Sequence, residues 1–313
     1  MTNTSRRGSH VGLDSAAASR PVLATGSVDR LKISAFKDIT AFVLDQMARS
    51  ALMALEVTYV KNATQAHDDL KEQRADLVFM SYDDTLSIAL EEDHRDIVAV
   101  MPVHGGILDL CGEIDMASGK VNIGIDTNTG YARALRAYLK KRYSREDYER
   151  LKFPFVGATN IRYEVLLKKN GGLDATLLNP PYSYGEGVHR ICRLSDAFGA
   201  YQGVVGNTNR RWLANPDNVD KLIRFIDLFY QTVRKIKASP AQGVTELKNY
   251  YGIAESEAKA AFLRLWESDG LCTRGVFDQS ALLATREIFM QDTGMSLKDS
   301  EDFKLDVHSI RSK

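Results

Sequence analysis

The polar turn Thr127-Asn128-Thr129-Gly130 carries the strongest chemical signal in the sequence. It lies between an apolar run at 121–125 and a stretch with Ala132, Leu135, Tyr138 and Leu139 at helical spacing, so it joins the end of a strand to the start of a helix. Free backbone N–H groups, the helix dipole and two hydroxyls at such a turn suit a carboxylate, sulfonate or phosphate. The same residues suit N-capping by Asp126, Thr127 or Thr129, and one turn can serve both ends.

Two further turns have matching chemistry. Ser81-Tyr82-Asp83-Asp84 follows the apolar run 77–80, where Tyr82 would stack on a planar ligand and Asp83 accept an N–H. Its alternative role is capping by Ser81 or Asp83. Asn179-Pro180-Pro181-Tyr182 follows the run 175–178, with the double proline holding Asn179 and Tyr182 rigidly. Lys37 follows the first apolar strand beside Asp38, a good N-cap, and His104 precedes Gly105-Gly106, where glycine permits close backbone approach or hinge rotation. The candidate ligand contacts are therefore Lys37, Ser81, Tyr82, Asp83, His104, Thr127, Asn128, Thr129, Asn179 and Tyr182. Arg162, in the first turn of its helix, is a further partner for an anion.

A catalytic set is not evident. GxSxG, Walker A, GxGxxG after a strand and HExxH are all missing from the sequence. The cysteines Cys111, Cys192 and Cys272 show no metal-ligand spacing and read as buried thiols. No metal and no cofactor is expected. Lys+Arg and Asp+Glu each total 41, a balance that provides no net field to recruit nucleic acid or an anionic membrane.

The elements that must position these turns occur twice. A strand, a polar turn and a helix-patterned stretch start at Arg30 and again at Lys120. Each copy closes with an acidic residue, an apolar strand and a tyrosine-bearing turn, at Asp76 and at Asp174. Strands alternating with helices mean mainly parallel sheets. The expected fold is α/β, with two similar lobes joined by a two-crossover hinge and followed by C-terminal helices. Lobe 1 is discontinuous, 30–106 and 203–295, and lobe 2 is 107–202. Residues 1–29 read as a disordered tail and 296–313 as a charged one. A cleft between two such lobes is where small molecules bind.

Three segments carry a resemblance. Glu72-Gln73-Arg74-Ala75-Asp76-Leu77-Val78-Phe79, Gly119-Lys120-Val121-Asn122-Ile123-Gly124-Ile125 and Leu173-Asp174-Ala175-Thr176-Leu177-Leu178-Asn179-Pro180-Pro181 occur in the order seen in one family. The chain resembles the type II periplasmic-binding-protein family, in its nitrate/sulfonate/taurine and thiamine-pyrimidine-precursor branch. That resemblance implies the substrate-binding component of an ABC transporter, with a small organic ligand, anionic or aromatic, and an ABC permease as partners. It also admits a cytoplasmic enzyme on the same fold, of decarboxylase, lyase or pyrimidine-precursor type. The cysteine-rich, iron-associated motif of the pyrimidine synthases has no counterpart here.

Ser5-Arg6-Arg7 is not followed by an apolar segment, because Asp14, Ser15, Ser19, Arg20 and Pro21 interrupt the stretch after it. The expectation is a cytoplasmic protein as written, and an extracytoplasmic one if a leader is missing.

Overall fold

The computed structural model describes residues 30–50, 52–168, 172–298, 301 and 303–311. The tail expected at 1–29 lies outside the described residues. The rest forms two five-stranded sheets with helices packed against them.

The first sheet holds β1 (Arg30–Ala35), β2 (Ala54–Tyr59), β3 (Leu77–Ser81), β4 (Ile97–Pro102) and β10 (Val204–Asn209), in the order β2-β1-β3-β10-β4. The second holds β5 (Asp109–Gly112), β6 (Val121–Gly124), β7 (Leu151–Lys152), β8 (Ala175–Leu178) and β9 (Arg190–Arg193), in the order β7-β6-β8-β5-β9. The two orders are one pattern used twice. In each sheet one strand runs against its neighbours, β10 in the first and β5 in the second. Each is the strand the chain enters directly after crossing from the other lobe, so it arrives from the hinge side and must run backwards. The expected α/β fold with mainly parallel sheets is therefore observed, with one reversed strand per sheet.

The acidic marks of the repeat do the same work in both copies. Asp76 Oδ2 accepts the Lys32 N–H at 2.8 Å, and Asp174 Oδ2 accepts the Asn122 N–H at 2.7 Å. Each carboxylate thereby ties the entry of one strand to its parallel neighbour, β3 to β1 in lobe 1 and β8 to β6 in lobe 2.

Helices fill the connections. In lobe 1, α1 (Ile39–Arg49) is capped by Asp38, α2 (Ala63–Lys71) by Asn62, and α3 (Tyr82–Leu86) by a Ser81–Asp84 capping box. Lobe 2 contains α4 (Tyr131–Arg142), α5 (Arg145–Arg150), α6 (Thr159–Leu167) and α7 (Leu194–Phe198). The C-terminal helices are α8 (Pro216–Ala238), α9 (Pro240–Tyr251), α10 (Glu255–Arg264), α11 (Gln279–Thr293) and α12 (Val307–Arg311). Proline at N1 with Asn215 as cap starts α8, whose Phe225 and Phe229 are fully buried against Phe79 of β3. Burying each such ring stabilises the fold by roughly 2–3 kcal/mol. α11 touches both α3 and α4, and so braces the two lobes from behind.

Local expectations differ from the structure in a few places. Ile39, Phe42, Val43, Met47, Leu52 and Leu55 stand at a spacing that predicts one helix through all six, but α1 ends at Arg49, where Ser50 folds its hydroxyl onto the Met47 carbonyl at 2.6 Å. Leu55 belongs to β2. The run Phe153-Pro154-Phe155-Val156-Gly157 reads as a strand ending in a glycine turn, but it holds only an isolated bridge at Phe155, since Pro154 has no N–H to donate, and the strand β7 lies before it at Leu151–Lys152. Tyr201–Val205 reads as the strand that carries the chain back to lobe 1, but that strand starts three residues later, at Val204. The described part of 296–313 turns back onto lobe 1, where the Phe303 carbonyl accepts the Ala99 N–H at 2.8 Å and Val307 is buried.

The two crossovers lie side by side. Gly203 N donates to the His104 carbonyl at 3.1 Å, and Val103 N to the Val204 carbonyl at 2.9 Å. A Cβ on Gly203 would stand 2.4 Å from the Gly106 nitrogen, so this contact between crossing segments requires glycine.

Candidate functional site

The strand ends of the two sheets face each other across a cleft that closes over a cavity. Its volume is about 40 Å³. Lobe 1 contributes Phe36, Asp38, Ser81 and Asp84, and lobe 2 contributes Asp126, Thr127, Thr129, Tyr131, Thr159, Arg162 and Asn179. Hydrogen bonds join the lobes around it. Thr129 Oγ1 donates to Asp84 Oδ1 at 2.8 Å, Ala158 N to the Lys61 carbonyl at 2.9 Å, and the Tyr182 hydroxyl to the Lys37 carbonyl at 3.1 Å.

The turn expected to bind an anion meets one supplied by the protein. Gly130 N, at the start of α4, donates to Asp83 Oδ1 at 2.7 Å, and Asp83 also pairs with Arg133 at 2.8 Å. Arg133 is almost fully buried and further engages Ser87, Glu91 and Asp292. Gly130 has φ +62, and a Cβ there would lie 2.9 Å from Asp84 Oδ2. Glycine is what allows the lobe 1 carboxylates so close to this helix end.

The expected contacts thus divide. Ser81, Thr127, Thr129 and Asn179 line the cavity, Asn179 with its Oδ1 accepting the Thr159 hydroxyl at 3.2 Å. The others lie behind or beside it. Tyr82 is buried in a core cluster with Leu86 and Phe289, and Asp83 is engaged with Arg133. Lys37 is exposed, its Nζ 5.6 Å from the centre of the Tyr59 ring, and Asn128 is exposed and bonded by Arg136. Tyr182 closes the rim through its hydroxyl. His104 is buried within the hinge, its Nδ1 accepting the Gly106 N–H at 3.1 Å, and burial lowers its pKa to about 4.

The residues not anticipated as ligand contacts are chiefly charged. Burial pushes the Asp38 carboxyl up to about 6, against the Thr40 N–H that it caps at 2.8 Å. Asp84 is buried too, but His67 at 3.2 Å, with the Ser81 and Thr129 hydroxyls, holds its carboxyl below the usual range. His67 in turn lies between Asp84 and Glu92, which outweigh its burial and favour the imidazolium. Burial raises Asp126, with Arg162 opposing from 3.9 Å. Arg162 spends its Nη atoms on the Gly157 and Leu177 carbonyls, at 2.5 and 3.2 Å, while its Nε has no hydrogen-bond partner among the described residues. A strand-end rule applied to every polar residue, caps included, would have found Asp38 and Asp126, while Arg162 was anticipated from its place in the first turn of α6.

Cys111 is buried, which pushes its thiol pKa far up, and Cys192 and Cys272 are unpaired. Among the described residues no group of three or more His, Cys, Asp or Glu side chains is placed to hold a metal ion. No described helix is long and apolar enough to cross a membrane.

No protein-family model and no curated protein matches the chain. Solved structures do. The ligand-binding component of an ABC-type import system from Staphylococcus aureus, solved with zinc bound, superposes with a TM-score of 0.70 at 14% identity, over 90% of this chain and 98% of its own. The alkanesulfonate-binding protein SsuA from Xanthomonas axonopodis pv. citri, bound to MOPS, gives 0.66 at 14% identity, over 86% of this chain and 94% of its own. A Candida albicans gene product described as having the generic periplasmic-binding-protein fold gives 0.65 at 12% identity, over 88% and 96%. The chain has the periplasmic-binding-protein fold. In that fold the cavity described above is the cleft between the lobes, and the paired crossovers at 103–108 and 199–204 are the hinge.

Proposed function

We propose that this protein is a solute-binding protein that closes its two lobes around a small polar organic ligand and passes it to an ABC permease. The observation that carries this reading is the cavity itself. It is walled by strand ends and helix starts of both lobes and bridged by Thr129–Asp84 and Tyr182–Lys37, so a ligand there is enclosed by closure rather than bound on one surface. The proposed contacts are Ser81, Thr127, Thr129 and Asn179, joined by Asp38 and Arg162. The expected Lys37, Tyr82, Asp83, His104, Asn128 and Tyr182 would act on the rim, the hinge and the inter-lobe bridge. An enzyme using His104 and Cys111 gains no support, since neither lines the cavity. The likeness to import-system binding proteins supports the permease as partner, and the working compartment would be the side of the membrane from which that permease draws solute.

The test is a thermal-shift screen of small metabolites, with recovery of each hit after incubation. A hit at a hundred times its Kd should add about 2.7 kcal/mol of stability and be recovered unchanged. Consumption of the stabilising compound would overturn the reading in favour of an enzyme.

A further inference from the structure

A row of hydrogen bonds runs from the surface of lobe 1 to the cleft, and His67 is at its centre. His67 lies on α2 and is 6% exposed. Its Nδ1 is 3.0 Å from Glu92 Oε1, and its Nε2 is 3.2 Å from Asp84 Oδ1. On the outer side, Glu92 Oε2 accepts from Lys71 Nζ at 2.5 Å, and Lys71 also pairs with Asp68 at 3.2 Å. On the inner side, Asp84 lines the cavity and accepts the hydroxyls of Ser81 at 2.7 Å and, from lobe 2, of Thr129 at 2.8 Å. The charged groups around the ring are therefore Asp84 from α3, Glu92 from the segment after α3, and Asp68 and Lys71 from its own helix. Asp83 and Asp126 lie close enough to Asp84 to feel its charge, and each is opposed by its own arginine, Arg133 and Arg162.

An ionised carboxylate accepts hydrogen bonds and donates none, so a ring set between two of them needs a proton on both nitrogens. Only the imidazolium meets that demand. The two acids differ once the proton leaves. Glu92 is partly exposed and keeps Lys71. Asp84 is buried, and its remaining partners are the neutral hydroxyls of Ser81 and Thr129 and the Ser81 N–H. A carboxylate without its counter-charge is costly inside a closed cleft, and much less so in an open one whose wall water can reach. We propose that His67 is a positioning residue for lobe closure: as an imidazolium it sustains Asp84 as the charged acceptor of the Thr129 bridge, and its deprotonation favours the open cleft. The two acids raise the His67 pKa from its ordinary 6.5, so this support is complete below about 6.5 and is lost as pH rises through the higher value of the folded protein. The inference rests on the closure described under the solute-binding reading, and it makes ligand retention stronger in acid than in alkali.

Small-angle scattering of the ligand-free full chain between pH 6 and pH 9 tests this, with circular dichroism as the control on fold. The wild-type radius of gyration should grow across that range. His67→Gln, neutral throughout, should show the larger radius at every pH, and His67→Lys, a cation throughout, the smaller one. Thr129→Val lacks the bridge that His67 supports, so its radius should not respond to pH. Asp38 and Asp83 also titrate near this range, and Asp38→Asn should keep the wild-type response. In a proton NMR titration, the imidazole signal missing from His67→Gln should be one that titrates above pH 6.5. A wild-type radius constant with pH, a response that survives in His67→Gln, or a His67 signal titrating below 6.5 would overturn the assignment. If neither His67 variant folds, the wild-type and Thr129→Val profiles decide, and equal responses to pH overturn it. None of these readouts uses a ligand, so failure here leaves the solute-binding reading to the metabolite screen.

Discussion

Asp83 and Arg133, from opposite lobes, meet at 2.8 Å with Asp83 fully buried and Arg133 4% exposed. The pair stands behind the cavity near the hinge, and it joins α3 to α4 where the lobes must pivot. Burial raises the Asp83 carboxyl to about 7, Arg133 opposes the rise, and neighbouring Asp84 adds to it. The inter-lobe joint therefore depends on a carboxylate that burial works against and one guanidinium sustains.

Removing that guanidinium takes the counter-charge from Asp83 and Glu91, while Asp292 keeps Arg136. Arg133→Met should cost about 3–5 kcal/mol in urea denaturation, because Asp83 then stays buried without its counter-charge. Adding Asp83→Asn to it should restore part of the loss. A double variant no better than the single one would show that the pair is not coupled.

Asp38 sets a pH dependence. Its ordinary value of 3.8 is raised to about 6 by burial, so the folded protein holds its proton more tightly than the unfolded chain does. The stability this provides is complete below about 3.8 and is lost as pH rises through about 6. The loss is on the order of 3 kcal/mol, at about 1.4 kcal/mol per pH unit. Asp83 shifts in the same direction, so wild type and Asp38→Asn must be compared by denaturation at pH 4, 5, 6 and 7. The variant's profile should be the flatter one.

Thr129 reaches across the cleft mouth to Asp84 at 2.8 Å. Thr129→Val keeps the shape and removes the donor. Small-angle scattering of the ligand-free protein should then report a larger radius of gyration than wild type, with the fold content by circular dichroism unchanged. Equal radii would show that this hydrogen bond does not hold the lobes together.

The doubled pattern at Arg30 and Lys120 was legible because sheet order is set by local alternation of strands and helices, and Asp76 and Asp174 mark the same joint in both copies. The turns at the cleft were legible for the same reason, as strand ends. Which side chains of those turns face the cavity was not. Tyr82 and Asp83 occupy the first turn of α3, and the capping box between Ser81 and Asp84 rotates Asp83 toward the other lobe. Asp38 and Asp126 read as caps, and a sequence does not reveal that a cap also stands in a cavity wall. Arg162 was visible as an anion partner, but its pairing with Asp126 depends on two turns brought together only by the fold.

The reversed strands have a consequence for the order in which the molecule is made. Lobe 2 has all its strands once Arg193 has left the ribosome, whereas lobe 1, begun at Arg30, lacks the strand between β3 and β4 until Asn209 emerges. The half synthesised first is the half completed last. Until then β3 and β4 have no common partner, and each presents unpaired backbone groups to whatever is nearby. A truncation between the lobes would therefore yield an incomplete sheet rather than a small independent domain, and the nascent chain is most vulnerable to wrong pairing while residues 107–203 are being added.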